Sequence, residues 1–222
     1  MARTIVRSLK WRFSAMNRKR KARHIKRYIA EHQIKTAVLV GATRRKGKVP
    51  GLKRTDGAVE DAVGSCARIL GSCDIKRGIT PFPFVVGDGR ALPFQSGSVD
   101  LVFSNAVIEH VGGEAEQRRF VREASRVGRH WIITTPNRWF PVESHTNVVF
   151  RHWRPSWRAS KPWAFTRLLS RSEFADLLPQ GSRIIGRPWS ATFIAMGLGA
   201  HTDLTDGDVV TADHHDPPAA QN

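Results

Sequence analysis

The chain has 222 residues, enough for one sizeable domain with short appendages. Its hydrophobic content of 41%, with 18 Gly and 12 Pro, argues against a collagen-like or wholly disordered chain, and no apolar run approaches the roughly 20 residues that a membrane helix needs. Two cysteines are too few for a disulfide-stapled scaffold or a cysteine-built zinc site, so we expect a reducing, cytoplasmic compartment and no metal. The formal net charge of +17 favours anionic partners without naming one.

The first predicted element is a basic amphipathic helix within an N-terminal arm of residues 1–33. Its apolar residues recur at spacings of three and four with Arg and Lys between them, which predicts a helix. These apolar positions are Ile5, Leu9, Phe13 and Met16. The arm has no apolar h-region, so we expect no secretory signal, although an acid-free, Arg-rich start would also suit an organelle transit peptide. Two roles stay open: a solvated helix that leans on the domain, and an arm in which residues 1–28 contact an anionic membrane surface or RNA.

Residues 34–199 are predicted to form the main domain, in which strands and helices alternate. Short apolar runs that end at turn residues are typical of buried strands in parallel sheets. The predicted strands are 36–40, 68–70, 84–86, 100–104, 130–135, 182–185 and 192–196, and the predicted helices are 57–65, 114–127 and 172–178. This alternation predicts an α/β fold: a doubly wound, Rossmann-like sheet of seven strands, mostly parallel with a final antiparallel strand. The acidic tail, residues 200–222, has a composition typical of disorder.

Two carboxylates follow neighbouring predicted strands. In open α/β sheets, ligands bind where the carboxyl ends of the strands meet the loops. Asp74, after the second strand, suits a pair of ribose hydroxyls, because each of its oxygens can accept a hydrogen bond. Asp88, after the third strand, can accept from an exocyclic amine while the N–H of Gly89 faces a ring nitrogen. Both positions fit an adenosine, and the alternative for each is that it only caps a turn.

Three sequence segments carry a more specific pattern. Residues 87–94 read GDGRALPF and residues 97–111 read GSVDLVFSNAVIEHV. They closely resemble the third and fourth motifs of class I S-adenosylmethionine-dependent methyltransferases. Residues 135–141, TPNRWFP, resemble the loop after the fifth strand in small bacterial members of the type-11-like group. The resemblance covers residues 34–198 and implies a methyltransferase with S-adenosylmethionine as its cofactor.

The resemblance also implies which residues meet that cofactor. It assigns to the cofactor Gly41, Ala42, Thr43, Asp74, Ile75, Asp88, Gly89, Asn105 and Ala106. Asp74 would contact the ribose, and Asp88 with the backbone of Gly89 would face the adenine. Asn105 and Ala106 would line the methionine end.

The turn after the first strand departs from the family pattern. The family carries an acid-x-G-x-G-x-G turn there, whereas this chain lacks the acid and has only Gly41 in the tight turn. Gly47 and Gly51 come later, and the Cβ of Ala42 narrows the space in which a backbone approaches the ligand. A rebuilt working site, a weak site and a lost site are all compatible with this turn.

The chemistry asks little of the protein beyond alignment. Methyl transfer from a sulfonium is an in-line displacement, so the protein mainly supplies orientation and exclusion of water. The resemblance places Ile108 and His110 beside the transferred methyl. His110 is the candidate general base for a hydroxyl acceptor, and its alternative role is to close the loop by a hydrogen bond. Glu109 could orient that ring or cap the following helix, of which capping is favoured, and His145 is a second choice of base.

A segment rich in aromatic and basic residues, 138–167, is predicted to cover the acceptor site; we call it the cover segment. Aromatic faces stack on sugars or bases, while guanidinium groups bind phosphate or carboxylate. The residues predicted to contact the acceptor are His145, Arg138, Trp139, Arg151 and Trp153. The alternative is that the tryptophans fill a small satellite core and the arginines are solvated.

These observations predict a cytoplasmic methyltransferase, with peripheral membrane contact left open. The expected acceptor is an anionic small molecule, a sugar or a lipid-linked compound. One alternative is an RNA methyltransferase whose basic arm follows phosphates, although no known RNA-binding module is recognisable. The other is a non-catalytic, methyltransferase-like binding protein that has lost its cofactor turn.

Overall fold

The computed structural model describes residues 2–42, 58–76, 80–143, 146, 148–160 and 166–200. Its helices and strands in chain order are α1 Ala2–Glu31, β1 Thr36–Val40, α2 Ala58–Gly64, β2 Arg68–Asp74, β3 Phe84–Val86, β4 Val99–Asn105, α3 Glu114–Val127, β5 Gly128–Pro136, α4 Pro155–Ala159, α5 Arg171–Ala175, β6 Arg183–Ile185 and β7 Thr192–Leu198. Two 3₁₀ turns, Ile108–His110 and Arg151–Trp153, complete them. None of the helices in these ranges combines the length and the apolar character needed to cross a bilayer.

The seven strands form one sheet in the order β3-β2-β1-β4-β5-β7-β6. Neighbours from β3 to β5 run parallel, while β7 pairs antiparallel with both β5 and β6. The predicted α/β sheet, mostly parallel with a final antiparallel strand, is therefore confirmed. The strand order reverses between β1 and β4. In open α/β sheets the ligand-binding crevice lies at such a reversal, outside the carboxyl ends of the two strands.

Apolar layers cover both faces of the sheet. On one face, α3 contributes Phe120, Val121 and Ala124, which are almost fully buried against β4 and β5. This is the face that the spacing of its apolar residues predicts. On the other face, α1 and α2 pack together, with Ile25 and Val63 fully buried.

The C-terminal half of α1 is part of the domain core. Ile25, Tyr28 and Ile29 are buried in the same apolar layer as β1. Phe13 and Met16, from the stripe that defined the predicted arm, are instead 42% and 61% exposed. The helix therefore docks through a stripe nearer its end, and a boundary at residue 33 cuts through a packed layer. The predicted disordered tail lies outside the described residues apart from Ala200.

Candidate functional site

The turn after β1 is tight and left-handed. Gly41 has φ +74°, and its N–H donates to the Cys73 carbonyl at 2.8 Å. A Cβ at Gly41 would lie 2.3 Å from Cγ2 of Val107, in the segment that follows β4. Gly41 thus lets the ends of β1 and β4 approach closely at the crevice. The next methyl group, that of Ala42, packs against the α1 layer of the core, and Thr43 lies outside the described residues.

Asp74 and Asp88 lie at neighbouring strand ends. Asp74 is the last residue of β2, and its carbonyl accepts from the N–H of Gly87 at 3.0 Å, just after β3. The pKa of the Cys73 thiol is raised to about 11. Burial is the main cause, and the negative charges of Asp74 and Asp88 add to it. Two carboxylates near the same thiol offer hydrogen-bond acceptors to hydroxyl and amine groups, which fits the nucleoside half of the expected cofactor.

The carboxylate of Asp88 is held by Arg90. Nε of Arg90 donates to Oδ1 and Oδ2 at 3.0 and 2.9 Å, and Nη2 donates to Oδ2 at 2.6 Å. The backbone N–H of Arg90 adds a bond of 2.8 Å to Oδ1. These hydrogen bonds and the positive charge hold the pKa of Asp88 below its ordinary value. An exocyclic amine at Asp88 would have to share these lone pairs with Arg90.

Gly89 lies too close to the core to carry a side chain. A Cβ there would lie 2.5 Å from Cε2 of Phe120 and 3.1 Å from Cγ1 of Val40. The loop is also held from α3, because Glu123 Oε2 accepts from the N–H of Leu92 at 2.7 Å. Its position is therefore set by packing, and sequence reasoning missed the contribution of Glu123.

Asn105, at the end of β4, is the centre of a buried polar network. Its Oδ1 accepts from Lys21 Nζ at 2.8 Å and from Thr134 Oγ1 at 2.7 Å, and its Nδ2 donates to Glu60 Oε1 at 2.8 Å. Lys21 is only 7% exposed; burial lowers its pKa, while the charges of Glu60 and Glu109 oppose that shift. The network links α1, α2, β4 and β5 beside the crevice. Sequence reasoning missed Lys21, although it stands four residues before the buried Ile25 on one face of α1.

Ala106, the residue after Asn105, has a strained backbone. Its φ of +58° is unusual for a residue with a Cβ, and its N–H donates to the Thr134 carbonyl at 3.0 Å. The hydrogen bond to β5 holds this conformation at the point where the chain leaves the sheet.

The 3₁₀ turn Ile108–His110 separates a buried carboxylate from an exposed imidazole. The side chain of His110 is 45% exposed, its Nδ1 lies 3.3 Å from Thr166 Oγ1, and its Nε2 lies 3.9 Å from Glu109 Oε1. Glu109 is fully buried and accepts from Thr135 Oγ1 at 3.3 Å. Ile108 is fully buried in the α3 layer, which gives it a packing role below the turn.

The sequence predicts that Glu109 caps α3, but it is not the N-cap residue of that helix. The N-cap of α3 is Gly113, which makes no side-chain cap hydrogen bond. The carboxylate of Glu109 lies between Thr135 on β5 and the ring of His110. Glu109 therefore lies beside the imidazole and away from the N-cap of α3, and its role in orienting the ring stays a prediction.

Two of the residues predicted to contact the acceptor, Trp139 and Trp153, lie in one aromatic cluster. Trp153 lies 6.2 Å from Trp139 and 4.9 Å from Phe150, between ring centroids. Arg151 is exposed on the adjoining 3₁₀ turn, and His145 lies outside the described residues. The cluster resembles the satellite core that sequence analysis left open, although Trp139 remains 51% exposed.

Arg138 is already engaged within the protein. Its Nη1 donates to Glu173 Oε1 at 2.9 Å, and its guanidinium lies 5.9 Å from the ring of Trp139. Glu173 is fixed in turn by a capping box with Ser170, with bonds of 3.2 and 2.8 Å. The charge of Arg138 is therefore matched by a carboxylate from α5. Within the described ranges, no group of three or more His, Cys, Asp or Glu side chains is arranged to hold a metal ion.

Comparisons with known proteins find one matching family model and several similar folds. Residues 59–130 match the family model described as a methyltransferase domain. Among solved structures, an S-adenosylmethionine-dependent methyltransferase from Clostridium acetobutylicum ATCC 824 is similar with a TM-score of 0.55 and 9% identity, over 82% of this chain and 92% of that one. A SAM-dependent methyltransferase from Thermotoga maritima has a TM-score of 0.48 and 15% identity, over 79% and 94%. No curated protein matches the chain in sequence.

The sheet order and the similarity to the Clostridium structure show the fold of an S-adenosylmethionine-dependent methyltransferase. The match to the methyltransferase-domain family covers residues 59–130, which run from α2 into β5.

Proposed function

We propose that this protein transfers a methyl group from S-adenosylmethionine to an anionic acceptor: a small molecule, a sugar or a lipid-linked compound. The reaction would take place in the cytoplasm or at a membrane surface. The observation that carries the proposal is the pair of carboxylates, Asp74 and Asp88, at neighbouring strand ends beside the Gly41 turn. The departure from the glycine-rich pattern does not block the turn, because Gly41 adopts φ +74° and the methyl of Ala42 packs into the core.

Different residues near the crevice would bind different parts of the cofactor. Asp74, with the neighbouring Ile75, would hold the ribose, and Asp88 with the Gly89 backbone would hold the adenine. Asn105 and Ala106 would line the methionine end. Because the Asn105 side chain is fixed by Lys21, Thr134 and Glu60, its polar atoms are positioned before any ligand arrives.

The bound cofactor supplies an activated methyl group on a sulfonium. A nucleophilic oxygen or nitrogen of the acceptor would form the new bond to the methyl carbon, while the carbon–sulfur bond would break with its electron pair left on sulfur. When the acceptor atom is a hydroxyl oxygen, His110 is the base that we propose removes its proton. The buried carboxylate of Glu109, 3.9 Å from the ring, would favour the protonated imidazole that results.

Cofactor binding tests the proposal through Asp74. We expect S-adenosylhomocysteine, the demethylated product, to bind the full chain in isothermal titration calorimetry. Asp74→Ala should weaken binding by about tenfold or more, because it removes a charge-assisted acceptor for the ribose. Asp176→Asn, at an exposed aspartate after α5, is the matched control and should bind as the wild type does. Equal binding by Asp74→Ala and the wild type would contradict the assignment.

The two alternatives stay predictions. The RNA hypothesis rests on the positive charge of α1, and the hypothesis of a non-catalytic binding protein rests on the altered turn after β1. If calorimetry shows no heat of binding at a millimolar concentration of S-adenosylhomocysteine, the hypothesis of a non-catalytic binding protein is favoured.

A further inference from the structure

A pocket of 460 Å³ lies between α1 and the hairpin that joins β6 to β7; we call it the α1 pocket. The helix contributes Arg20, Lys21 and His24 to its wall, and the hairpin contributes Arg187 and Trp189. A volume of this size holds a small organic molecule rather than a polymer. No sequence motif pointed to this pocket, because its two walls are about 160 residues apart in the chain.

The charge of the α1 pocket has one sign. None of the described residues that line it is Asp or Glu. Among the described residues, neither Arg20 nor Arg187 has an ion-pair partner, in contrast to Arg138 with its Glu173. Charge without a matching carboxylate in a concave site attracts an anion.

The apolar part of the wall is aromatic. The rings of Phe13 and Phe140 are stacked, with centroids 5.5 Å apart and an interplanar angle of 10°. Trp189 is 67% exposed, and the guanidinium carbon of Arg187 lies 5.7 Å from the centre of its ring. An exposed tryptophan beside an arginine offers one flat apolar surface and one anion-binding group to the same ligand.

Two residues that line the α1 pocket contact the carboxyl ends of β4 and β5. At its floor, Lys21 Nζ donates to Oδ1 of Asn105, the last residue of β4. At its side, Thr192 pairs with Pro136, the last residue of β5. The carboxyl ends of β4 and β5 are therefore each one residue away from the pocket wall.

We propose that the α1 pocket is the acceptor site and that the acceptor is a free organic anion, with a carboxylate or phosphate group on a flat or apolar body. The anionic group binds Arg20 and Arg187, and the body lies against Trp189 and the Phe13–Phe140 pair. This inference rests on the proposed function, since it takes the end of β4 as the place of methyl transfer. Phe140, which belongs to the cover segment and lines the pocket, would then take part in acceptor binding.

Two probes with the same ring system and different charge distinguish the contribution of the anionic group from that of the aromatic body. We expect 2-naphthoate to bind the full chain with one-to-one stoichiometry in isothermal titration calorimetry, and about tenfold more tightly than the neutral 2-naphthamide. Arg187→Gln and Arg20→Gln should each weaken naphthoate binding severalfold and leave naphthamide binding unchanged. Trp189→Ala should weaken both probes. Arg119→Gln, at an exposed arginine on α3 outside the pocket, is the control and should change neither.

Several results would overturn the inference. Equal affinity for the two probes, or naphthoate binding that is indifferent to Arg20 and Arg187, would remove the anion site. Competition between naphthoate and S-adenosylhomocysteine would place the anion in the cofactor site, whereas we expect both to bind together. Displacement of naphthoate by vesicles of phosphatidylcholine and phosphatidylglycerol would show that the ligand is a lipid headgroup.

Binding of S-adenosylhomocysteine distinguishes a failure of this inference from a failure of the proposed function. If the product binds and naphthoate does not, the acceptor site lies elsewhere and the proposed function stands. If naphthoate binds and the product does not, the assignment of the pocket to a methyl acceptor falls together with the proposed function.

Discussion

Replacement of Gly41 by Ala tests how the two central strand ends are held together. Two costs arise from the structure. Backbone strain at φ +74° destabilises a folded protein with a Cβ at this position by about 1–2 kcal/mol. Alanine also lowers the conformational entropy of the unfolded chain, which offsets about 0.4–1 kcal/mol of this cost. The new methyl carbon would also lie 2.3 Å from Cγ2 of Val107, and overpacking of this kind typically costs about 1–3 kcal/mol. We expect Gly41→Ala to lower the free energy of unfolding by about 2–4 kcal/mol.

The double variant with Val107→Ala isolates the steric part of that loss. Removal of the two γ-carbons that the new methyl would meet relieves the overlap but leaves the backbone strain. Urea denaturation should therefore show a double variant that is more stable than the sum of the two single effects predicts, by about 1–3 kcal/mol. The m-values show whether all four proteins unfold as comparable two-state systems. Strictly additive effects would refute the contact between the turn after β1 and the segment after β4.

Two further predictions concern titration and the adenine-facing loop. Burial lowers the pKa of His130, and the positive charge of His32 lowers it further, so the unfolded chain binds this proton more readily than the folded one. The free energy of unfolding should therefore fall as the pH drops below about 6.5. Denaturant titrations at several pH values should show a weaker dependence of this free energy on pH for His130→Gln than for the wild type. An unchanged dependence would show that other groups dominate. Arg90→Met frees the lone pairs of Asp88, so calorimetry should show S-adenosylhomocysteine binding up to about fivefold more tightly, since an exposed ion pair is worth about 0–1 kcal/mol. Weaker binding would mean that Arg90 assists the ligand instead of competing with it.

The sheet was predictable because its signals are local. The apolar runs of β1, β4 and β5 and the apolar face of α3 stand out from their polar flanks, and each forms where predicted. Asp74 and Asp88 come to neighbouring strand ends because β2 and β3 pair in parallel, which follows from the doubly wound topology.

The contacts that prediction missed join distant parts of the chain. Arg138 appeared free to bind an acceptor, but α5 brings Glu173 to it from 35 residues away. Lys21 looked like one charge among many in a basic helix, yet its side chain reaches Asn105, 84 residues away. A buried lysine interrupts the apolar stripe of α1, so periodicity alone placed the docking face nearer to Phe13 than the structure does.

A crystal structure of the full chain with S-adenosylhomocysteine is the most direct measurement of where the cofactor lies. We predict that the ribose hydroxyls lie within hydrogen-bonding distance of the Asp74 carboxylate and that the adenine lies against the Gly89 backbone, with Arg90 moved from at least one Asp88 oxygen. A product molecule bound away from the ends of β1, β2 and β4, or one whose ribose makes no contact with Asp74, would contradict the account.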